Sequence, residues 1–272
     1  KISAEERLMP GEKIAGLGAS WQKTRLATMP QAPKDGLLAN YEFDGFLADT
    51  SGNYQHAKVL KGQIAYNVGA IRQSGELDGE SQVEFLKTEA IEWKHPFSVG
   101  LWANPTNIPI GRKDIGILHK SSEGLDRRGV ELFYEEIEKM PRFKRGSRVV
   151  VRLVHQWPES AIQIRTKQPV ILENWHNYTL TYDGSGKASG MRIYVDGKAV
   201  EIETLQDNLS GSLQVAAGLQ IGNKKIASVF KGFIDDLRVY SRALTPAEVD
   251  ILSKHYPIRI ILTDLADKPF LW

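Results

Sequence analysis

The sequence predicts an all-β protein, two antiparallel sheets packed face to face, with a short helical lead before them and one helix after them. Three observations point there. Short runs rich in β-branched and aromatic residues recur from Gly36 to Tyr240: LLANYEF, FSVGLWA, DIGILHK, GVELFYE, RVVVRLVHQW, AIQIRT, NYTLTYD, GMRIYVDG and FIDDLRVY. Turn-forming clusters such as DTSGN, DGES, YDGSGKASG and DNLSGS separate them. Several runs also alternate. Phe97, Val99 and Leu101 fall on one face, with Ser98, Gly100 and Trp102 on the other; Val149, Val151 and Leu153 alternate with Val150, Arg152 and Val154. Period two with one apolar face belongs to strands packed on one side only. Crossover helices between the strands are missing from the pattern, which argues against a parallel sheet and for two stacked antiparallel ones.

Residues 1–35 differ from the rest of the chain. They are mixed in charge, Ser3 and Glu6 have the spacing of a capping box, and Pro33 and Gly36 end any helix, so a helical lead and linker is expected there. Residues 36–252 hold the strands and the start of the closing helix. In LTPAEVDILSKHY, Thr245 is placed as N-cap, Pro246 at the first helical position and Glu248 at the third, with Val249, Leu252 and Tyr256 spaced to dock. Residues 253–272 are apolar for a terminus and are expected to pack on the sandwich or on a neighbouring domain. KISAEERLMPGEKIAG has no apolar signal core, and the whole reads as a segment of a longer chain.

Composition narrows the function. With 42% hydrophobic residues the 272-residue chain can bury a sizeable core, as one large or two small domains. Thirty-five basic against 33 acidic residues leave +2, which gives no bulk electrostatic case for a nucleic-acid partner. No run approaches the ~20 apolar residues that a membrane-inserted helix needs. The absence of cysteine rules out disulfides, thiolate metal sites, a cysteine nucleophile and covalently attached haem within this chain.

Six blocks then carry a resemblance. YEFDGFLADTSGNYQHAKV, ELDGESQVEF, PFSVGLWANP, NWHNYTLTYDG, GMRIYVDGKAV and FKGFIDDLRVYSRALTPAEV resemble, in order, the motifs of laminin-G-like domains of the concanavalin A-like lectin and glucanase type. The resemblance covers about residues 36–252 and implies a jelly-roll sandwich. RLVHQWPESAIQIRTKQPV, YDGSGKASGMRIYVDGK and HYPIRIILTDL more narrowly resemble the laminin-G-type domain embedded in planctomycete-type cytochrome c proteins, which implies export and a multidomain, extracytoplasmic parent. Two departures stand out: Gly79-Glu80-Ser81 replaces the usual Gly-x-Asp-Asp-Tyr, and Asp236 stands where Glu is commoner.

The resemblance implies candidate sites. A structural calcium ion in such folds ties the first strand region to the last, and the matching positions are Asp44, the carbonyl of Gly79, and Asp235; a hard cation wants six to eight oxygens. Capping of turns by the two aspartates is the alternative. Asp49 and Asn53 are expected to form an Asx-turn loop. A lectin-like surface would stack an aromatic on sugar, and Trp102 faces away from its strand's apolar side. His119, Arg152, His155 and Tyr194, with Trp157 and Arg165, lie on strands able to share that surface. Packing is the competing use of Trp102, as of Trp93 and Trp175. The basic stretch KMPRFKRGSRVVVR follows the acidic ELFYEEIEKM, so two hairpin arms would neutralise each other. Catalysis finds no support: Glu131-Leu-Phe-Tyr-Glu135-Glu136 lacks the spacing of a glycosidase strand, and no nucleophile elbow, zinc motif or phosphate loop is present. The expected function is a non-catalytic module that binds a glycan or glycoconjugate, with an inter-domain or protein-interaction scaffold as the alternative and a glycoside hydrolase behind both.

Overall fold

Each of the predicted runs forms a strand. A computed structural model describes residues 31–106, 114–122, 124, 126–137, 146–172, 174–222 and 230–254. The chain divides between Ala32 and Pro33, and the sandwich belongs to the second unit. The expected helical lead and the tail beyond Lys254 lie outside the described residues. β1 (Leu37–Tyr41), β2 (Lys58–Lys61), β3 (Ala65–Val68), β4 (Gln73–Leu77) and β5 (Gln82–Glu84) come first. β6 (Phe97–Pro105), β7 (Asp114–Ser121), β8 (Gly129–Glu136), β9 (Gly146–Gln156), β10 (Ser160–Thr166) and β11 (Val170–Ile171) follow. β12 (His176–Tyr182), β13 (Met191–Val195), β14 (Lys198–Ala199), β15 (Ile202–Asp207), β16 (Gln220–Gly222) and β17 (Gly232–Tyr240) complete the strands, and α1 (Pro246–Lys254) ends the described chain.

Two antiparallel sheets result. The eight-stranded sheet runs β14-β13-β12-β6-β17-β4-β3, with β1 also on β17; the nine-stranded sheet runs β15-β10-β9-β8-β7-β16-β5-β2, with β11 on β9. The core lies between them. Leu118, Leu132, Val151 and Ile164 stand in register on the nine-stranded sheet, and Val99, Leu180 and Ile193 on the other; all are buried. Rings bridge the layers. Tyr134 of β8 meets Tyr178 of β12 edge-on at 5.8 Å, and Tyr41 of β1 meets Phe85 at 4.8 Å. Each large side chain so buried contributes roughly 1.5–3 kcal/mol, and a slip of one residue would turn a whole row to the wrong face.

β17 changes partner halfway along one edge. Gly232–Ile234 pair with β4, whereas Leu237–Tyr240 pair with β1. At the changeover Asp236 takes a left-handed φ of 46°, and the register with β6 shifts between Asp235 and Arg238. Asp236 is held there by the buried Arg238 guanidinium at 2.8 Å.

The ends are fastened by local hydrogen bonds. Thr245 and Glu248 form a capping box: the Glu248 amide donates to Thr245 Oγ1, and the Thr245 amide donates back to Glu248. Arg242 grips the same Glu248 carboxylate with two nitrogens, at 2.7 and 2.9 Å, and holds it down to about 2. α1 buries Val249 and Leu252 and lies against the β13–β14 turn, where a Cβ on Gly197 would come within 2.2 Å of Ser253 Oγ. The DTSGN loop is built on Asp49, whose carboxylate accepts from the amides of Asn40, Ser51 and Gln55 and from the Ser51 hydroxyl. Burial opposes that charge, but these donors outweigh it and lower the Asp49 pKa. Replacing Asp49 with Ala is expected to cost about 3 kcal/mol, the scale for a charged, multiply bonded group. The contribution is present above the ordinary carboxylate range and lost as the pH falls through the lowered folded value. Urea titrations at pH 7 and pH 3 check it: the wild-type advantage must shrink in acid.

Candidate functional site

Alternation leaves the outer face of the nine-stranded sheet to the residues between the core rows. One transverse row there is polar from end to end. Glu84, Gln220, His119, Glu131, Arg152 and Gln163 stand side by side across β5, β16, β7, β8, β9 and β10. All are less than a tenth exposed although they face away from the core.

Arg152 is the centre of this row. Its Nε donates to Gln163 at 2.6 Å, and its Nη1 lies 3.3 Å from Glu131 and 3.5 Å from Asp114. The guanidinium carbon lies 4.2 Å from the ring centroid of Phe133 and 4.9 Å from that of Trp157. A planar cation in contact with aromatic rings and bonded at its edge to carboxylates combines ring contact with charge-assisted hydrogen bonding. Further along, Glu84 accepts from the Gly218 amide and the Gln220 side chain; burial raises its pKa, but these bonds and Lys87 outweigh it and the net shift is down. On the flank Arg165 bridges Glu135 and Glu203, each at 2.9 Å. The acidic and basic arms of the β8–β9 hairpin pair as expected, Glu131 opposite Arg152 and Glu135 opposite Arg148; Lys139, Arg142, Lys144 and Arg145 lie outside the described residues.

Solvent reaches the row at one corner. Trp157 is half-buried, its amide donating to Asp126 O at 3.0 Å. Beside it Asp114 and Arg127 are each about a quarter exposed, with Arg127 Nη1 3.8 Å from Asp114. An aromatic ring, a carboxylate and a guanidinium therefore converge where the otherwise closed row opens.

The residues expected to share a ligand surface are divided by the structure. His119 and Arg152 share the polar row. His155, three residues beyond Arg152, points to the opposite side. Its ring rests on Gly211, where a Cβ would come within 2.6 Å, and its Nδ1 is 2.8 Å from Ser212 O. Trp102 and Tyr194 belong to the other sheet. Trp102 does face away from the core, opposite Asn177 and Asp235, but it is only 2% exposed, and Tyr194 only 4%. Neither offers a face for stacking. Trp93 and Trp175 pack, Trp93 against the core and Trp175 on Phe233 at 6.3 Å. Sequence reasoning missed Glu84, Glu131, Gln163 and Gln220 as members of the row; a polar residue at the outward position of successive strands was the available signal.

The residues matched to a calcium ion are divided too. Asp44 and Asp235 reach one turn before β4: Asp44 accepts from the Gln73 amide and pairs with Arg72 at 2.9 Å, and Asp235 Oδ2 accepts from the Ile71 amide at 2.7 Å. Gly79 does not join them. With Leu77 opposite Gly232 and Gly75 opposite Ile234, the level of Asp235 falls near the start of β4, whereas Gly79 lies in the bend after its other end. Asp235 is fully buried, and its Oδ1 has no hydrogen-bond partner among the described residues. Burial, with the charges of Asp236 and Asp44, raises its pKa to about 8. An orphaned oxygen beside a second carboxylate fits a hard cation; among the described residues no group of three or more acidic or histidine side chains does.

Asp114 and Glu131 both lie within 3.5 Å of one guanidinium nitrogen, so their oxygens are less than about 7 Å apart, inside the span of a hydrolytic pair. The space between them is filled by Arg152 itself. A hydrolytic pair flanks a glycosidic bond and water, and this one flanks a fixed cation.

The two stacked antiparallel sheets define a jelly-roll sandwich, and the family is shown by sequence: residues 77–250 match the laminin-G family described as the concanavalin A-like lectin/glucanases superfamily, to which this chain belongs. No curated protein matches the chain. Solved structures share its fold. Domain 4 of AbnA, an extracellular arabinanase of Geobacillus stearothermophilus, in complex with arabinotriose, is 22% identical over 80% of this chain and 98% of that one, with a TM-score of 0.58. The binding domain of Paraclostridial Mosquitocidal Protein 1 is 18% identical over 81% of this chain and 52% of that one, TM-score 0.58. The binding domain of botulinum neurotoxin DC, in complex with rat synaptotagmin II, is 17% identical over 81% and 51%, TM-score 0.59.

Removing the central cation is expected to leave the buried Glu131 carboxylate uncompensated. Arg152→Met should lower stability by about 3 kcal/mol, read by urea denaturation. A loss below about 1 kcal/mol, the scale of a solvated pair, would mean that water screens the row.

Proposed function

We propose that this chain is a non-catalytic binding module that takes a carbohydrate or glycoconjugate on the outer face of the nine-stranded sheet, beside Trp157. The observation behind this reading is the corner where Trp157, anchored on Arg152, stands with Asp114 and Arg127 at the opening of a buried polar row. An indole gives an apolar face for a pyranose or furanose ring, and the flanking charged groups orient hydroxyls; few polar groups around an apolar platform is the usual composition of a small-ligand site. The arabinotriose complex of the arabinanase domain supports the ligand class by analogy of fold.

A glycan array read with wild type, Trp157→Ala and Trp102→Phe tests it. Binding lost at least tenfold in Trp157→Ala and kept in Trp102→Phe is the expected result. Equal binding by wild type and Trp157→Ala would sink the site, and measured sugar turnover would sink the non-catalytic reading. A second reading, a protein-interaction scaffold, is favoured by Phe46, Tyr54, Val59, Leu60 and Val68, large apolar side chains left exposed within one stretch of chain. A silent array puts that reading in front. On the narrower sequence resemblance alone, we place the module outside the cytoplasm, in a larger exported protein of the planctomycete cytochrome c kind; recovery of the intact parent from cytoplasm would overturn this.

We further propose that Asp235 and Asp44 hold a structural calcium ion, the remaining oxygens coming from backbone carbonyls of the turn at 69–72 and from water. The orphaned Asp235 Oδ1 supports this; Gly79 has no part in it. Without metal, folded Asp235 keeps its proton up to about pH 8, against 3.8 ordinarily. The folded state then binds more protons than the unfolded one between these values, so stability falls as pH rises from about 4 to about 8. In chelator Tm should fall across that range, calcium should restore it at pH 8, and Asp235→Asn should abolish both effects. A Tm indifferent to calcium at pH 8 would remove the ion from the scheme.

A further inference from the structure

A second cleft differs from the polar row in character. It opens between the edges of the two sheets, with one wall from the end of β10 through β11 to His176 and the other from Val195 to Glu201. Its volume is about 550 Å³, inside the range of pockets that hold small organic molecules. The floor is aliphatic: Val170, Val195 and Val200 line it, and behind them they pack on the hydrophobic core. Ile171, 62% exposed, forms the lip.

Both ends of the cleft are cross-linked, so it is framed. At one end the Lys167 amide donates to Glu201 O at 2.9 Å, and the two side chains pair at 3.5 Å. At the other, His176 Nδ1 lies 2.8 Å from Asp196 Oδ2 and Nε2 lies 3.0 Å from Ile171 O. Both partners are acceptors, so the ring satisfies them together only as an imidazolium donating twice. Burial opposes that charge, but Asp196 and the Ile171 carbonyl outweigh it and raise the His176 pKa. The charges at the frame are thus used in pairs, Lys167 with Glu201 and His176 with Asp196. Lys198, on β14 at the rim, is the cation lining the cleft that has no ion-pair partner among the described residues.

We infer that this cleft is a binding site for an amphipathic anion, a small molecule with an aliphatic or aromatic body and one carboxylate or sulfonate. The body fills the space over Val170, Val195 and Val200, where an apolar surface would otherwise stay wet, and the anionic end meets Lys198. A saccharide does not suit it: the floor offers branched aliphatics without an aromatic platform. The inference is independent of the glycan site, since no residue is shared.

The test uses 8-anilinonaphthalene-1-sulfonate as a fluorescent probe, displaced by decanoate or by decanol. Wild type is expected to bind one equivalent saturably, and decanoate to displace it. Lys198→Gln should weaken decanoate at least fivefold while leaving decanol unchanged. Val200→Phe, which fills the floor, should weaken both ligands at least fivefold. Lys198 is exposed, so its replacement leaves the fold intact even if Val200→Phe disturbs it. No saturable probe binding would overturn the inference. So would decanoate binding indifferent to Lys198→Gln, or an equal loss of decanol in that variant.

Discussion

Burial of the inward rows of β6, β12 and β17 against those of β8, β9 and β10 decides everything else in the molecule. Each strand places half its side chains in that layer, and only the other half remain for any further role. The eight-stranded sheet uses its outer half for packing too: Ser98, Trp102, Thr179 and Tyr194 are buried, and the Ser98 hydroxyl bonds to Arg242 O and the Leu244 amide on the way into α1. The nine-stranded sheet uses its outer half for a charged network centred on Arg152. One sheet is closed by structure, the other by compensated charge with an open corner.

In the function proposed above, that network serves recognition. Arg152 and Arg165 each bind two carboxylates, and buried charges of this kind fix geometry more reliably than they add stability. A rigid, pre-satisfied surface would need little reordering to receive the ligand proposed for Trp157, and ordering costs are a large part of what limits affinity.

Much of the fold was legible because the central strands are buried on one face and carry that burial as alternation. FSVGLWA and RVVVRLVHQW announce themselves. β2, β3 and β15 do not, because edge strands with mostly exposed residues have no burial pattern to display. The capping box at Thr245 and the Asp49 loop were legible for a different reason: both are local, and their donors and acceptors lie within a few residues. The site was legible in part. Sequence placed Trp102 on the correct side of its strand, but a strand's pattern does not say what lies over that side. His119 and Arg152 were found on strands of one sheet; Glu84, Glu131, Gln163 and Gln220 were not, because cross-strand rows depend on register. Gly79 was matched to Asp235 by family position, but it lies past the end of β4 that is farther from Asp235.

The two ends of the sandwich meet at one doorway. Leu37 stands opposite Tyr240, the Ser241 amide donates to Gly36 O, and Arg242 pairs with Asp35 at 3.0 Å. The first and last strands of the sandwich thus close on one another, so an opening of this ladder would free both together, while the chain goes on through α1 to the β13–β14 turn.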